Sequence, residues 1–460
     1  MTTAAIRHVA VIDIGKTNAK VALVDLERLA EIDTRRTPNA VLSDGPYPHF
    51  DVDRLWNFIL DSLGALNRAH KLDAISVTTH GVAAALLDGG GNLALPVLDY
   101  EHNGPEQMAA DYDAARPPFA ETGTPRLPVG LNLGAQLFWQ ARAFPEAFAR
   151  VARIAMYPQF WTYRLSGVLA NEVTSLGCHT DLWNFRAGDF STLVDKEGWR
   201  ELMAPLRRAG DRLGPVLPDV AAATGLDAAT PVYCGIHDSN ASLLPYLMDR
   251  PKPFAVASTG TWVISMAVGG AAVGLDPTRD TLVNVNAFGD PVPSARFMGG
   301  REFATLVGEG SKEPSPDATR AVLQTTVLLT PSVQQGSGPF AKRKAEWIGG
   351  EPTGDARHVA ASFYLAMMTA TSLELIGAEG PTIVEGPFAA NRPFADMLAA
   401  ATTRPVIAAG TSATGTSIGA ALLAAGDGAT SRTVGSDGAA TAPPRGAEWA
   451  AYAKRWRAAI

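Results

Sequence analysis

Apolar residues gather in short runs along this chain, and Gly, Pro and small polar residues separate them. Val9, Ala10, Val11, Ile12 and Ile14 form the first run; Val21, Ala22, Leu23 and Val24 form the second. Runs this short, bounded by Gly and polar side chains, predict strands rather than a helix. His8 to Leu26 therefore reads strand, tight turn, strand. The turn collects Asp13, Gly15, Lys16, Thr17, Asn18 and Lys20. Gly15 is expected to take a positive φ and let backbone N–H groups converge on an anion. Asp13 suits a hydrated magnesium ion, which keeps several waters when only one or two carboxylates bind it. On these residues alone, a polyphosphate turn and an ordinary hairpin with a polar tip are equally good readings.

The pattern returns at Phe254 to Val268, FAVASTGTWVISMAV. Ser258 falls where Asp13 fell, Gly260 matches Gly15 and Thr261 matches Lys16, with Thr259 between. A repeat at this spacing predicts two related domains, each offering a Gly-turn to one ligand. Between the turns, Leu55, Phe58, Ile59, Leu63 and Leu66 fall near helical spacing behind a cap at Asp51 or Asp53. Leu72 to Thr79 alternates as a strand and ends in Thr79-His80-Gly81. Val82 to Leu87 reads as the next strand, Leu133 to Arg150 as one helix, and Phe160 to Leu165 as a short amphipathic piece ended by Gly167. Strand and helix in alternation predict α/β architecture. The boundary is placed at Gly235-Ile236-His237-Asp238, just before the second Gly-turn. Further on, a helix is expected at Arg357 to Ile376, a strand at Thr382 to Glu385, and a small-residue helix at Gly415 to Ala425. Gly426 to Gly446 is low in complexity. Trp449, Tyr452 and Trp456 make one stripe of a final helix, expected to dock onto the body.

Composition narrows the classes. At 460 residues the chain is too long for one core. A net charge of −7 argues against a nucleic-acid or anionic-membrane surface. Cys178 and Cys234 are the two cysteines, which fits a reducing cytoplasm rather than a disulfide scaffold. No signal peptide pattern is present, because Asp13 and Lys16 interrupt any apolar leader.

Familiar motifs are mostly excluded. Gly308-Glu309-Gly310-Ser311-Lys312 lacks the glycine a P-loop needs before its lysine. No GxGxxG follows the first strand. Cys234, His237 and Asp238 lack the further ligands of a zinc site, and Cys234 reads better as a small buried strand residue. His80 sits at the C-terminal end of a strand, where α/β sheets present ligands. A backbone-satisfied histidine is about as good a reading there. Glu101 alone is a solvated loop carboxylate.

Taken in order, these stretches resemble the FGGY family of carbohydrate kinases, within the actin-like ATPase superfamily. The DxGxTxxK turn is Asp13, Gly15, Thr17 and Lys20, and the His-Gly strand end is His80-Gly81. LFWQARAFPE, YPQFWTYRLSG, GIHDSN, STGTW and TGTSIGAALLAA then follow as the family arranges them. The resemblance implies an α/β fold of two ribonuclease-H-like domains with a cleft between them. Residues 1–238 would bind sugar and 239–460 nucleotide. It implies Asp238 as catalytic base and Asp13 as the magnesium carboxylate. Cofactor contacts to ATP would come from Asp13, Gly15, Lys16, Thr17, Asn18, Lys20, Ser258, Thr259, Gly260, Thr261, Gly386 and Asn391. Thr79, His80, Gly81 and Glu101, with Asp238, would bind the sugar.

RFMGGREF, Arg296 to Phe303, looks nearest to deoxyketose kinases of the rhamnulose and fuculose type, so the expected acceptor is a ketose or deoxyketose. Three positions depart from the family. Glu385-Gly386-Pro387-Phe388 stands where a Gly-Gly turn is usual. Asp99-Tyr100-Glu101-His102 replaces a Trp-x-Asp-x-Arg segment. Gln159 stands where Asp is common. The expected partners are a small sugar and ATP, without nucleic acid or membrane; a homodimer is left open. An actin-like ATPase acting on a protein, or a non-catalytic sugar sensor, are the rival classes.

Overall fold

The first strand is buried on both faces, and that places it in the middle of a sheet. In the computed structural model, which describes residues 6–308, 313–409, 415–425, 441–442 and 445–460, β1 (His8–Ile14) pairs antiparallel with β2 (Asn18–Asp25), and β2 with β3 (Ala30–Pro38). On its other edge β1 runs parallel to β4 (Ala74–Thr79), reached through helix α1 (Val52–His70). Side chains alternate across the sheet. Ala10, Ile12 and Ile14 join Leu55, Ile59, Leu63 and Leu66 of α1 in one core, and Phe58 of that helix packs at its edge. Val9 and Val11 face a second core with Ile236, Ala241, Leu244 and Ile418. Asp51 caps α1, its side chain accepting from Arg54 N.

The stretch expected as one helix from Leu133 to Arg150 is two. Helix α2 (Leu133–Ala143) ends at Phe144, and Pro145 opens a separate turn, Pro145–Phe148. Proline has no N–H to continue the ladder and favours a first helical position. Helix α3 runs Tyr157–Ser166, longer than the expected amphipathic piece and buried along most of its length; Gly167 closes it in the left-handed region. Two short parallel strands then line up beside β4. These are β5 (Pro231–Tyr233), with Val232 opposite Ile75, and β6 (Ile236–His237), with Ile236 opposite Thr78 and His237 opposite Thr79. Helix α4 (Asp238–Asp249) follows directly.

The second sheet repeats the plan. β7 (Phe254–Thr259) pairs antiparallel with β8 (Val263–Val268), and β8 with β9 (Pro291–Phe297). Helix α5 (Gly299–Val307) follows β9, and α6 (Gly354–Leu375) leads to β10 (Thr382–Glu385), which is parallel to β7. Helix α7 (Arg392–Thr402) and β11 (Val406–Ala408) extend the parallel side. Ser258 therefore holds in this sheet the place Asp13 holds in the first. Each lies near the end of the strand that carries an antiparallel hairpin on one edge and a parallel neighbour on the other, opposite Lys20 and Thr78 for Asp13, Ile264 and Glu385 for Ser258.

Contact density divides the chain into two compact units. The first is Met1–Asp249 with Val283–Pro291 and Thr414–Val434; the second is Arg250–Leu282, Val292–Ala413 and Gly435–Ile460. Helix α4 thus stays with the strands before it, whereas the expected boundary fell at its first residue, Asp238. Helix α8 (Gly415–Leu422) also joins the first unit, sharing its core through Ile418, Ala420 and Ala421. In the second unit the terminal helix α9 (Ala447–Ala458) buries Trp449, Tyr452 and Trp456. Tyr452 meets Phe363 with ring centroids 4.9 Å apart, and Trp456 Nε1 donates to Leu329 O at 2.7 Å. Each buried ring contributes roughly 1.5–3 kcal/mol, so the aromatic stripe docks as its spacing predicted. Most of the low-complexity stretch after Ala425, and residues 309–312 of the P-loop-like run, lie outside the described residues. Among the described residues no helix is long and apolar enough to cross a membrane.

Candidate active site

Strand register in the first unit brings three chain segments to one sheet end. Asp13 pairs with Thr78 and Ile14 with Thr79, while His237 lies opposite Thr79 across the other edge of β4. The residues that follow these strands, His80 and Asp238, are consequently neighbours at the C-terminal edge, where parallel strands present ligand sites. The break between β5 and β6, at Cys234-Gly235, is held by Gln159. Its Nε2 donates to Cys234 O at 3.0 Å and to Gly235 O at 3.3 Å. An aspartate at 159 has no donor for those carbonyls, which accounts for the departure from the family pattern there.

Asp238 opens α4 and is half-buried. Its Oδ1 lies 3.1 Å from His237 Nε2 and accepts from Ser239 N at 2.6 Å. Burial alone would raise its pKa, but His237, His80 and the Ser239 N–H together outweigh burial and hold the carboxyl below its ordinary range. His237 Nε2 is also 3.7 Å from Cys178 Sγ. Burial alone would lower the His237 pKa; Cys178 and Asp238 together hold it well above the usual histidine value. Burial would likewise raise the Cys178 thiol, yet His237 and His179 bring it down to about 5. The cysteine that meets the imidazole is Cys178, not the nearer-in-sequence Cys234, which is a buried strand-end residue. Cys178 sits on a strained segment, with His179 at φ 39° and Asp181 at φ 64°. That strain is held in place by the Arg116–Asp181 ion pair at 2.9 Å and by Asn132 Nδ2 donating to His179 O at 3.1 Å.

His80 is buried among Phe50, Tyr100 and Tyr157. Its Nδ1 lies 2.9 Å from Gly81 O, and a carbonyl only accepts, so Nδ1 carries the proton. Burial pulls its pKa down to about 4, leaving a neutral ring whose Nε2 is a buried acceptor with no partner. Thr79 donates its hydroxyl to His80 O at 2.9 Å. Gly81 is packed so closely that a Cβ there would lie 2.9 Å from His237 Nε2. Glu101 is largely exposed, 67% in its side chain, with Oε2 3.4 Å from Lys16 Nζ.

The β1–β2 turn departs from expectation in its backbone. Gly15 is not in the left-handed region. Its N–H instead closes the turn by donating to Asn18 O at 2.9 Å. The tip residues Thr17 and Asn18 are exposed and bonded to each other at 3.1 Å. Lys20 lies 3.5 Å from Asp13 and 2.8 Å from Glu31. Lys16 is ion-paired to Asp99. Burial raises Asp13 to about 6, partly offset by Lys20 and increased by Asp238. A buried carboxylate of this kind is one that could hold a hydrated divalent cation.

In the second unit a cavity of about 760 Å³ is lined by Gly260, Thr261, Gly300, Arg301, Phe388 and Asn391, among others. Gly300 lines it, and Gly386 immediately precedes the lining residues Pro387 and Phe388, while Ser258, Thr259 and Gly386 themselves do not line it. A Cβ on Gly300 would fall 1.9 Å from Gly260 O, and one on Gly386, at φ +77°, would fall 1.9 Å from Thr259 O. Thr259 is spent on this fold: its hydroxyl donates to Glu385 O and accepts from Phe388 N at 3.1 Å. Asn391 caps α7, accepting from Phe394 N at 3.0 Å and donating to Ser362 Oγ at 2.9 Å. The cradle is open where side chains would fill it, which leaves room for a ligand beside the backbone of residues 260, 261 and 300.

Two family models match. The N-terminal domain of the FGGY family of carbohydrate kinases covers residues 8–245, and the C-terminal domain of carbohydrate kinase FGGY covers residues 251–432. The chain belongs to the FGGY family of carbohydrate kinases. Among solved structures, a carbohydrate kinase from Novosphingobium aromaticivorans is 36% identical, with a TM-score of 0.90 over 99% of both chains. A gluconate kinase from Lactobacillus acidophilus is 15% identical at TM-score 0.81 over 99% of this chain and 97% of that one, a likeness of fold. L-fuculokinase of Escherichia coli K12 is 27% identical over 273 residues, 56% of this chain and 55% of that protein. The chain therefore matches about half the length of that curated relative. FGGY membership brings the two-domain actin-like ATPase fold, in keeping with the repeated sheet plan of the two units.

Proposed function

We propose that this FGGY protein transfers the γ-phosphoryl group of ATP to a hydroxyl of a small ketose or deoxyketose. The observation that carries the reading is the pairing of Asp238 with a buried, unpartnered acceptor, His80 Nε2, at one sheet end. A carboxylate kept ionised and a neutral ring kept as acceptor are what a hydroxyl needs for orientation and deprotonation. His80 and Glu101 accept from sugar hydroxyls, and Asp238 faces the reacting one. Oδ1 of Asp238 is engaged by His237 and Ser239, so Oδ2 takes the proton as the sugar oxygen forms its bond to phosphorus. The bond from γ-phosphorus to the bridging oxygen breaks, and ADP leaves.

ATP occupies the cradle of Gly260, Thr261 and Asn391, with Ser258, Thr259 and Gly386 adjoining. The Thr261 hydroxyl is the side-chain donor toward phosphate there; the Thr259 hydroxyl serves the fold, and the N–H groups of Gly260 and Asn391 donate to Trp262 O and Phe388 O. Asp13 would hold Mg²⁺ through water, which neutralises phosphate charge. Lys20, Thr17 and Asn18 contribute donors beside it. The similarity to L-fuculokinase supports a deoxyketose. The two buried free cysteines accord with work in a reducing cytoplasm.

The test is ADP release from Mg²⁺-ATP over a panel of ketoses, deoxyketoses and polyols, with Asp238→Asn alongside. Loss of turnover by a factor of roughly 10² or more, with ATP binding retained, is expected of a base. Near-wild-type turnover in Asp238→Asn removes the assignment.

A further inference from the structure

The two ammonium groups of the β1–β2 turn serve different ends of the site. Lys20 turns back to Asp13 and Glu31. Lys16 turns away from the hairpin tip. Its Nζ pairs with buried Asp99, lies 3.4 Å from Glu101 Oε2, and sits 5.3 Å from the Phe50 ring centre and 5.2 Å from that of Tyr100. Those residues surround His80: Phe50 and Tyr100 lie 5.1 Å and 5.3 Å from it, ring centre to ring centre. The loop that Lys16 grips is a tight turn of its own. Asp99 Oδ1 accepts from Glu101 N at 3.1 Å, and Asp99 O accepts from His102 N at 2.9 Å.

We infer that Lys16 is a positioning residue for the acceptor sugar, holding the 99–102 loop over His80, and not a ligand of phosphate. The arrangement also selects by charge. Lys16 is already matched by Asp99 and Glu101, and Asp238 adds a further carboxylate nearby. An acceptor carrying its own carboxylate meets surplus negative charge, whereas a neutral sugar does not. The acceptor class is thus neutral sugars, and sugar acids are rejected. This rests on the proposed kinase reading.

The experiment uses the full chain and two substitutions. Lys16→Met keeps the apolar stem over the rings and removes the charge; Lys16→Arg restores it. ATP affinity is measured by calorimetric titration, and acceptor KM by ADP release with L-fuculose, D-xylulose and D-gluconate. Losing a charge-assisted contact predicts a rise in acceptor KM of roughly ten- to a hundredfold in Lys16→Met, unchanged ATP affinity, and recovery in Lys16→Arg. Asp99→Asn, a milder change, should show the same split. A loss of ATP affinity of roughly tenfold or more with acceptor KM unchanged overturns the inference. So does D-gluconate as the preferred acceptor. Should no acceptor turn over, the kinase reading falls, while the ATP titration still decides the placement of Lys16.

Discussion

Replacing Gly386 by Ala tests whether the cradle of the second unit is the nucleotide site. Gly386 sits at φ 77°, ψ −161°, a region open almost only to glycine. Holding an alanine there costs roughly 1–3 kcal/mol. The new Cβ would also lie 1.9 Å from Thr259 O and 3.0 Å from Thr259 Oγ1. Ordinary contact is near 3.5 Å, so the backbone after β10 must retreat by roughly 1.5 Å. Thr259 lies in β7, paired on both edges, and will not give. The retreat breaks the bonds from Thr259 Oγ1 to Glu385 O and from Phe388 N to Thr259 Oγ1, each worth about 1 kcal/mol net. The sum is a few kcal/mol, most of it relieved by moving the 386–391 turn into the cavity. Domains of this size lose roughly 2–4 °C of Tm per kcal/mol, so a folded variant several degrees less stable is expected. Its ATP KM should rise by roughly tenfold or more, because Pro387 and Phe388, which line the cavity, move with the turn. Acceptor KM should stay where it was. A variant that melts lower but keeps its ATP KM would refute the location of the nucleotide.

Two predictions concern the first unit. The Asp13 carboxyl titrates near 6 in the folded protein against 3.8 in a free chain, so it favours folding only when protonated. That contribution is complete below about pH 4 and is lost as pH rises through 6. Ionised Asp13 then costs on the order of 3 kcal/mol at neutral pH. Asp13→Asn should raise the Tm of the ligand-free protein at about pH 7.5, with the gain shrinking toward pH 4.5, while Mg²⁺-ATP turnover collapses. A lower Tm at neutral pH would contradict the burial argument. His80→Phe keeps the packing against Phe50 and Tyr157 but removes the Nε2 acceptor. Acceptor KM should rise by roughly tenfold, as for one lost hydrogen bond, with ATP KM unmoved. In the unsubstituted protein His80 titrates near 4, so its share of acceptor KM should be flat above about pH 5.5.

Much of the fold was legible because its pattern is local. Val9 to Ile14 reads as a buried strand from six residues, the cap of α1 as Asp51 or Asp53, and Thr382 to Glu385 as a strand with the ends it has in the fold. The Trp449, Tyr452, Trp456 stripe needs only helical spacing. The break at Phe144 was missed although Pro145 marks it, since the apolar positions on either side still fit one helical face. The turn glycines were misread in their physics. Gly15 closes a hairpin without a positive φ, and the glycine that needs one is Gly386, whose demand comes from Thr259 in another strand.

The site was legible in its types and not in its partnerships. Asp13, His80 and Asp238 stand at strand ends, and strand ends can be read. Which of them face each other is set by register: Asp13 opposite Thr78, His237 opposite Thr79. Register between strands with α1 or a long excursion between them is a property of the sheet, not of either segment. The same holds for charge. Lys16 and Lys20 are four positions apart, Lys16 in the turn and Lys20 on β2 opposite Asp13. Asp99, contributed by a loop some eighty residues further on, draws one ammonium toward the His80 cluster; Glu31, on β3, pairs with the other beside Asp13. Cys178 is 59 residues from His237, and reaches it on a segment whose left-handed residues are stabilised by Arg116 and Asn132. Cys178 there helps to raise the His237 pKa, and His237 in turn helps to hold the Asp238 carboxyl below its ordinary range. The ionisation of Asp238 is in this way a consequence of packing between segments far apart in sequence.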